Sequence, residues 1–366
     1  LEQTITTEFT ALNSPIDNLI PLILGNLFQI LYNATDSIIV GKFVGDDALA
    51  AVGTAGPIMN MAILFISGMC MGAGILMSTL YGAKDMKNLE KQISTTLIGG
   101  LVFSLLIAFL MIVFAVPILR LINSPEEIIG SAAIYLRVVF LGLIFTFVYN
   151  FLANTLRALG DSRTPLYFLV ISAFLNVAGD LLFVVTLKLG VMGSAVATVL
   201  SEALCCVCCG IYVKLKVPVL CLGKKWRVFE RRVLWKTFSY GITSALQQMC
   251  VQLGKILVQA IINVQGVAFI AAFTAINRVD DFVLSPEGNI AHATTTFIAQ
   301  NRGAGDVERV KKGYRCGIIM ELIFSVAVSI IVFFAAAPLM KMFVAEDSAE
   351  VVALGVSYLR IIAFMY

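Results

Sequence analysis

The sequence predicts an all-α polytopic membrane protein made of two parallel six-helix repeats, with ten of the twelve helices present. Three observations carry this. Hydrophobic residues make up 59% of the chain and charged residues 13%, against about 45–50% and about 25% in soluble domains. Apolar stretches of the roughly 20 residues needed to cross a bilayer recur along the whole length. The chain also repeats itself: Gly82-Ala83-Lys84-Asp85 returns 221 residues later as Gly303-Ala304-Gly305-Asp306. Likewise AVPILRLI (115–122) returns as AAPLMKMF (336–343), and Tyr135-Leu136-Arg137 as Tyr358-Leu359-Arg360.

Taken in order, the predicted spans lie near 16–40, 48–80, 93–119, 129–156, 164–187, 191–213, 233–262, 265–299, 313–337 and 350–366. The opening LEQTITTEFT lacks a charged n-region and does not read as a signal peptide. Spans one to six form the first repeat, an N-terminal lobe over 1–213. The basic stretch 214–232, KLKVPVLCLGKKWRVFERR, is the longest polar connection and reads as a cytoplasmic linker. Spans seven to ten form a C-terminal lobe over 233–366, incomplete because the repeat stops just after the counterpart of Phe140. The expectation is a chain lacking the rest of helix ten and two further helices. Six spans per repeat is an even number, so both copies enter the membrane in the same sense. Two such bundles around a central site are the plan of a secondary transporter.

Loop charge gives the orientation. Loops after even-numbered spans carry seventeen Lys and Arg residues; loops after odd-numbered spans carry only Lys42, Arg120, Lys188 and Lys341. By the positive-inside rule the even loops and the N-terminus face the cytoplasm, with the protein in the cell membrane. The net charge of +3 reflects this bias. No basic–aromatic groove or soluble domain is present in the sequence, so no nucleic-acid partner is expected. The expected partners are the lipid bilayer, small molecules and a coupling ion, and the protein is expected to be a monomer.

Cys205, Cys206, Cys208 and Cys209 cluster in span six, and Cys70, Cys221, Cys250 and Cys316 are scattered. A structural zinc site needs a second Cys or His pair, which the sequence does not supply, so small apolar packing is the expected role. The lone His292 is expected to pack in span eight. Complete intramembrane-enzyme signatures are also missing, since Asp280-Asp281 runs into Phe282-Val283-Leu284 rather than on to a third Asp. The chain is read as a non-enzyme.

Ionisable groups inside spans weigh most, because each is costly there unless paired or wet. Asp36 lies about five residues from the outer end of span one, Asp180 about seven from that of span five, and Thr198 about seven into span six; at ~1.5 Å per residue these depths agree within roughly 4 Å. Asn176 precedes Asp180 by four residues and shares its helix face. Glu202 follows Thr198 by four, one turn deeper. Two carboxylates, an amide and a hydroxyl thus converge in the outer half of the first bundle. An all-oxygen set suits a hard cation, and two carboxylates in a low-dielectric pocket attract a proton or metal ion. The alternative is that these groups only hydrogen-bond between helices.

The run LFQILYNATDSIIVGKFVGDDALAAVG (27–53), the cytoplasmic GAKD and QNRGAGD (300–306), and LRALGDSRTP (156–165) resemble the multidrug and toxic-compound extrusion (MATE) family. The resemblance covers essentially the whole chain. It implies twelve helices in two lobes, and a secondary antiporter exporting drug-like, cationic or amphipathic compounds in exchange for protons or sodium ions by alternating access. No cofactor beyond the ion gradient is implied. In one branch of the family the first lobe carries the ion site, with an Asp on helix one, an Asn and an Asp one turn apart on helix five, and a Thr on helix six. The resemblance therefore implies that Asp36, Asn176, Asp180 and Thr198 bind the coupling ion, and are metal ligands if that ion is sodium. Glu202 is not carried by that motif.

The second lobe departs from other branches, which place a carboxylate on helix seven. Here that helix offers Gln247, Gln248, Gln252 and Lys255. Lys255, Asp280 and Glu287, with Glu202, are candidates for further polar cavity residues. Arg278 and Asp281 are spaced to neutralise each other on one face. A flippase-type exporter of a lipid-linked or metabolite substrate in the same superfamily is the alternative function. It sits less well with the few Arg and Lys residues in the spans of the first lobe.

Overall fold

The computed structural model describes residues 23–25, 28–29, 35–36, 38–122, 124–217, 228–263, 267–343 and 349–365, and every element among them is helical. After helical residues at 38–43 come α1 (Asp46–Gly82), α2 (Met86–Leu121), α3 (Glu126–Leu141), α4 (Leu143–Ala158), α5 (Arg163–Asp180), α6 (Val191–Lys216), α7 (Arg231–Asn263), α8 (Val267–Gly303), α9 (Val307–Phe343) and α10 (Ala349–Ile362). A π-helical segment, Leu181–Thr186, follows α5 directly. Five of these are long and apolar enough to cross a membrane: α1, α2, α5 with its π segment, α6 and α9. The predicted span 129–156 is two helices, α3 and α4, meeting at 44°. They meet at Gly142, where a Cβ would stand 2.6 Å from Cγ2 of Val199. The missing side chain lets α6 press into the bend. The long α7 and α8 are less apolar because they carry the amides, Lys255, Asp280 and Glu287 noted above.

The duplicated motif folds twice into the same turn. Ala83 N–H donates to Thr79 O and Asp85 N–H to Leu80 O, each at 3.0 Å; in the second copy Ala304 donates to Gln300 O and Asp306 to Asn301 O, again at 3.0 Å. Lys84 and Gly305 occupy the equivalent left-handed position, with φ of 56° and 75°. Glycine meets that geometry without steric cost, and lysine does not. Each turn ends on an Asp whose side chain caps the next helix: Asp85 accepts from Asn88 N–H (3.2 Å) and Asp306 from Arg309 N–H (2.9 Å). The LRALGD run makes a third such turn, with Gly160 at φ 97° and Asp161 accepting from the Arg163 and Thr164 amides. The side chain and then the amide of Asn88 hold the exposed Asp85 carboxyl below the usual carboxylate range. Its small stabilising contribution is complete above the ordinary carboxylate pKa and fades as pH falls through the depressed value.

Two buried clusters organise the packing. One joins α1–α4 and α6 around Ile66, Met77, Leu89, Leu136, Phe140 and Leu156; the other joins α8, α9 and α10 around Val279, Met340 and Leu359. Lipid removes the hydrophobic drive between helices, so close van der Waals approach must replace it. Small residues provide that approach where α1 crosses α7: a Cβ on Gly68 would lie 2.5 Å from Ala245 Cα, and one on Gly72 2.4 Å from Gly241 N. Large apolar side chains such as Phe109, Phe174 and Phe334 point outward, as a lipid-facing surface requires.

The end of the bundle that carries both duplicated turns is sealed. A Cβ on Gly82 would stand 1.8 Å from the Gln300 carbonyl oxygen, and one on Gly303 1.9 Å from that of Thr79. Both pairs are related by the same 221-residue offset, so the two turns pack on each other reciprocally. Gln300 also donates to Ala158 O at 2.8 Å. Beside them residues 228–230 dock on α2: Val228 N–H donates to Ser94 Oγ, Glu230 N–H to Thr95 Oγ1, and Lys91 pairs with Glu230 at 3.4 Å. Gln92 of α2 bonds Thr237 of α7 at 2.5 Å.

Candidate functional site

The segment before α1 delivers Asp36, α5 delivers Asn176 and Asp180, and α6 delivers Ser194 and Thr198. All but Thr198 are buried, Asp180 and Ser194 completely. The one-turn spacing of Asn176 and Asp180 places both on the α5 face turned to α6, and Asn176 Nδ2 donates to Thr198 Oγ1 at 3.2 Å. Close helix contact allows this: a Cβ on Gly179 would lie 3.0 Å from Ala197 Cβ. Ser194, one turn before Thr198, donates to Asp36 Oδ1 at 2.6 Å. The carboxyl groups of Asp36 and Asp180 are close enough for their charges to interact directly.

The polar inventory is unbalanced. Among the described residues no donor reaches either oxygen of Asp180 or the Oδ1 of Asn176, and all three atoms are fully buried. Two carboxylates offer only acceptors when ionised. A buried acceptor left without a partner is expensive, and an ionised one far more so. The cluster is therefore short of positive charge, and what would balance it is a proton between the carboxyl groups or a small cation on the free oxygens. The oxygens of Asp36, Asn176, Asp180 and Thr198 form the donor set such a cation would need.

The four residues singled out by depth and spacing come together. Glu202 sits one turn from Thr198 on α6, and its Oε2 accepts from the Thr146 hydroxyl of α4. Below Thr146 the same α4 face carries Asn150 and Asn154, each donating to the carbonyl one turn back. Lys255, Asp280 and Glu287 belong to α7 and α8, all half-buried. The Glu287 charge reaches Glu321 on α9, and that of Asp280 reaches Tyr358 on α10. The expected Arg278–Asp281 pairing falls on side chains outside those described, as does Cys221. Among the remaining cysteines, Cys205 and Cys209 are buried on α6, and Cys205 bonds the Phe168 carbonyl.

Sequence reasoning missed two partners. Ser194 was legible in principle, being a hydroxyl four residues before Thr198 and hence on its face. Thr146 was not, because an isolated threonine in an apolar run gives no signal without its partner.

The MatE family model matches residues 21–182 and 243–366. The probable multidrug resistance protein YoeA of Bacillus subtilis is 30% identical over 344 residues, covering 92% of this chain and 74% of that protein. The multidrug export protein MepA of Staphylococcus aureus is 22% identical over 313 residues, covering 86% and 68%. Among solved structures, a MOP superfamily transporter from Pyrococcus furiosus superposes with a TM-score of 0.86 at 25% identity, over 94% of this chain and 77% of the other. An outward-facing multidrug resistance MATE family transporter of the MOP superfamily gives 0.87 at 24% identity, over 95% and 78%.

Proposed function

This chain belongs to the MatE family of multidrug efflux transporters, and from that premise we propose that it is a secondary antiporter whose coupling ion binds at Asp36, Asn176, Asp180 and Thr198. The proposed substrates are cationic or amphipathic compounds, exchanged for protons or sodium ions across the cell membrane, with the N-terminus cytoplasmic. In this reading 1–213 and 233–366 act as the two lobes that rock against each other. The observation that carries it is the Asp180 carboxyl, buried against Asp36 with no donor supplied to it among the described residues.

A proton or sodium ion entering the cluster cancels one of the two negative charges and so relieves the repulsion between Asp36 and Asp180. That changes how the segment before α1, α5 and α6 pack, and so biases the lobe between its alternate states. Substrate and ion then displace each other by favouring different states, without sharing a contact. In proteoliposomes without ATP, an imposed proton or sodium gradient should drive accumulation of a cationic dye. The ion whose gradient alone suffices is the coupling ion. If neither gradient moves the dye while both are shown to persist, antiport is wrong.

A further inference from the structure

At the sealed end of the bundle, α1, α7 and α8 flank a half-open cleft of about 360 Å³ whose polar lining is Thr79, Tyr240, Thr295 and the exposed Lys236 and Arg302, with aliphatic side chains completing the wall. Its charge is one-sided, since two cations and no carboxylate line it. Among the described residues neither cation is in an ion pair, and the neighbouring Glu230 is engaged by Lys91. The two threonine hydroxyls donate to their own helices, Thr79 to Ile75 O at 2.9 Å and Thr295 to Ala291 O at 2.8 Å. The donors facing the space are therefore the ammonium, the guanidinium and the Tyr240 phenol. That set fits an acceptor-rich anion, and guanidinium geometry matches a phosphate in particular.

Depth and lining say which phosphate. Trp235, on the same turn of α7 as Lys236, is 61% exposed and packs edge-on against Phe238 at 6.1 Å. Exposed tryptophan beside a cation is characteristic of the headgroup layer of a membrane. A basic pocket between helices of a membrane bundle at that level suits an anionic lipid headgroup, and the aliphatic wall suits the glycerol and chain that follow it. We propose that this cavity binds the phosphate of an anionic phospholipid, held by Lys236, Arg302 and Tyr240. The assignment does not depend on the ion site, and stands or falls separately from it.

The chain has two tryptophans, so Trp226→Phe leaves Trp235 as the sole reporter beside the cavity. Quenching of its fluorescence by brominated phosphatidylglycerol and by brominated phosphatidylcholine, each diluted into a phosphatidylcholine bilayer, reads occupancy. At about a kcal/mol per basic residue, two cations should make phosphatidylglycerol the more effective quencher by roughly thirtyfold. Lys236→Gln with Arg302→Gln should bring the two curves together. The exchanged pair Lys236→Arg with Arg302→Lys should keep them apart, which separates loss of charge from loss of fold. Equal quenching by both lipids in the parent, or an undiminished preference in the neutral double variant, overturns the proposal. Relief of phosphatidylglycerol quenching by inorganic phosphate, but not by the same ionic strength of chloride, assigns the site to a soluble anion and overturns the lipid reading.

Discussion

Asp180→Asn should reduce gradient-driven efflux to the level of empty vesicles while leaving the amount of folded protein in the membrane unchanged. The substitution keeps the shape of the side chain, fills the space against Asp36 and adds a donor where none of the described residues supplies one. Folding therefore gains a hydrogen bond and loses a buried acid, which favours stability. What disappears is the charge that would make a cation worth binding. Coupling between two ligands is typically worth 1–3 kcal/mol, so its loss should remove a roughly 5–150-fold mutual effect of ion and substrate on each other's binding. Asp36→Asn should act alike, less completely, because Ser194 already donates to one of its oxygens. Thr198→Ala should cost least, since a hydroxyl is a weaker ligand than a carboxylate. Flux of a cationic dye in proteoliposomes, normalised to protein content, measures all three. Full activity in both Asp variants under the same gradient would reduce the cluster to a structural one.

Gly82→Val should prevent the sealed end from closing. Its first added carbon would fall 1.8 Å from the Gln300 carbonyl oxygen, a backbone atom with no rotamer through which to escape. Overpacking of this kind costs about 1–3 kcal/mol or more, which shifts a two-state population by roughly 5–150-fold toward the arrangement that separates the turns. Gly303→Val meets Thr79 in the same way and should give the same result. Gly130→Val is the control, since nothing lies within 4 Å of its added carbon. Spin labels at Asn88 and Glu308, in a cysteine-free background, report the separation directly. An unchanged distance distribution in Gly82→Val would show that the contact does not hold the end closed.

The parts of this molecule that were legible in the sequence are those set by periodicity and by helical rise. The all-α architecture, the positions of the described helices other than the α3–α4 pair, and the convergence of Asp36, Asn176, Asp180 and Thr198 follow from counting residues along spans of known pitch. The bend at Gly142 was not legible: apolar character runs through it without a break, and the cause is Val199, more than fifty residues away. Lys84 in a left-handed conformation was hidden for a related reason. Local preference argues against it, and only the bonds of the turn and the glycine at the equivalent position in the second copy reveal it. Thr146 acquires meaning only from the acid it faces, whereas Ser194 could be placed by its four-residue spacing from Thr198.

The π-helical segment Leu181–Thr186 begins where α5 ends, at Asp180. Such segments are insertions of surplus chain into an α-helix, and they gather at functional sites. In mechanical terms the segment is a dislocation. Moving it by one residue exchanges one backbone hydrogen bond for another, far cheaper than breaking the helix, yet each step turns the residue at its edge by about 100°. Hydrogen exchange of amides 181–187 should be fast relative to the rest of α5, and slow rates there would rule the idea out. The acid proposed to hold the cation thus stands at the edge of that dislocation, where any one-residue shift would turn it by an angle set by helix geometry rather than by the size of the ion.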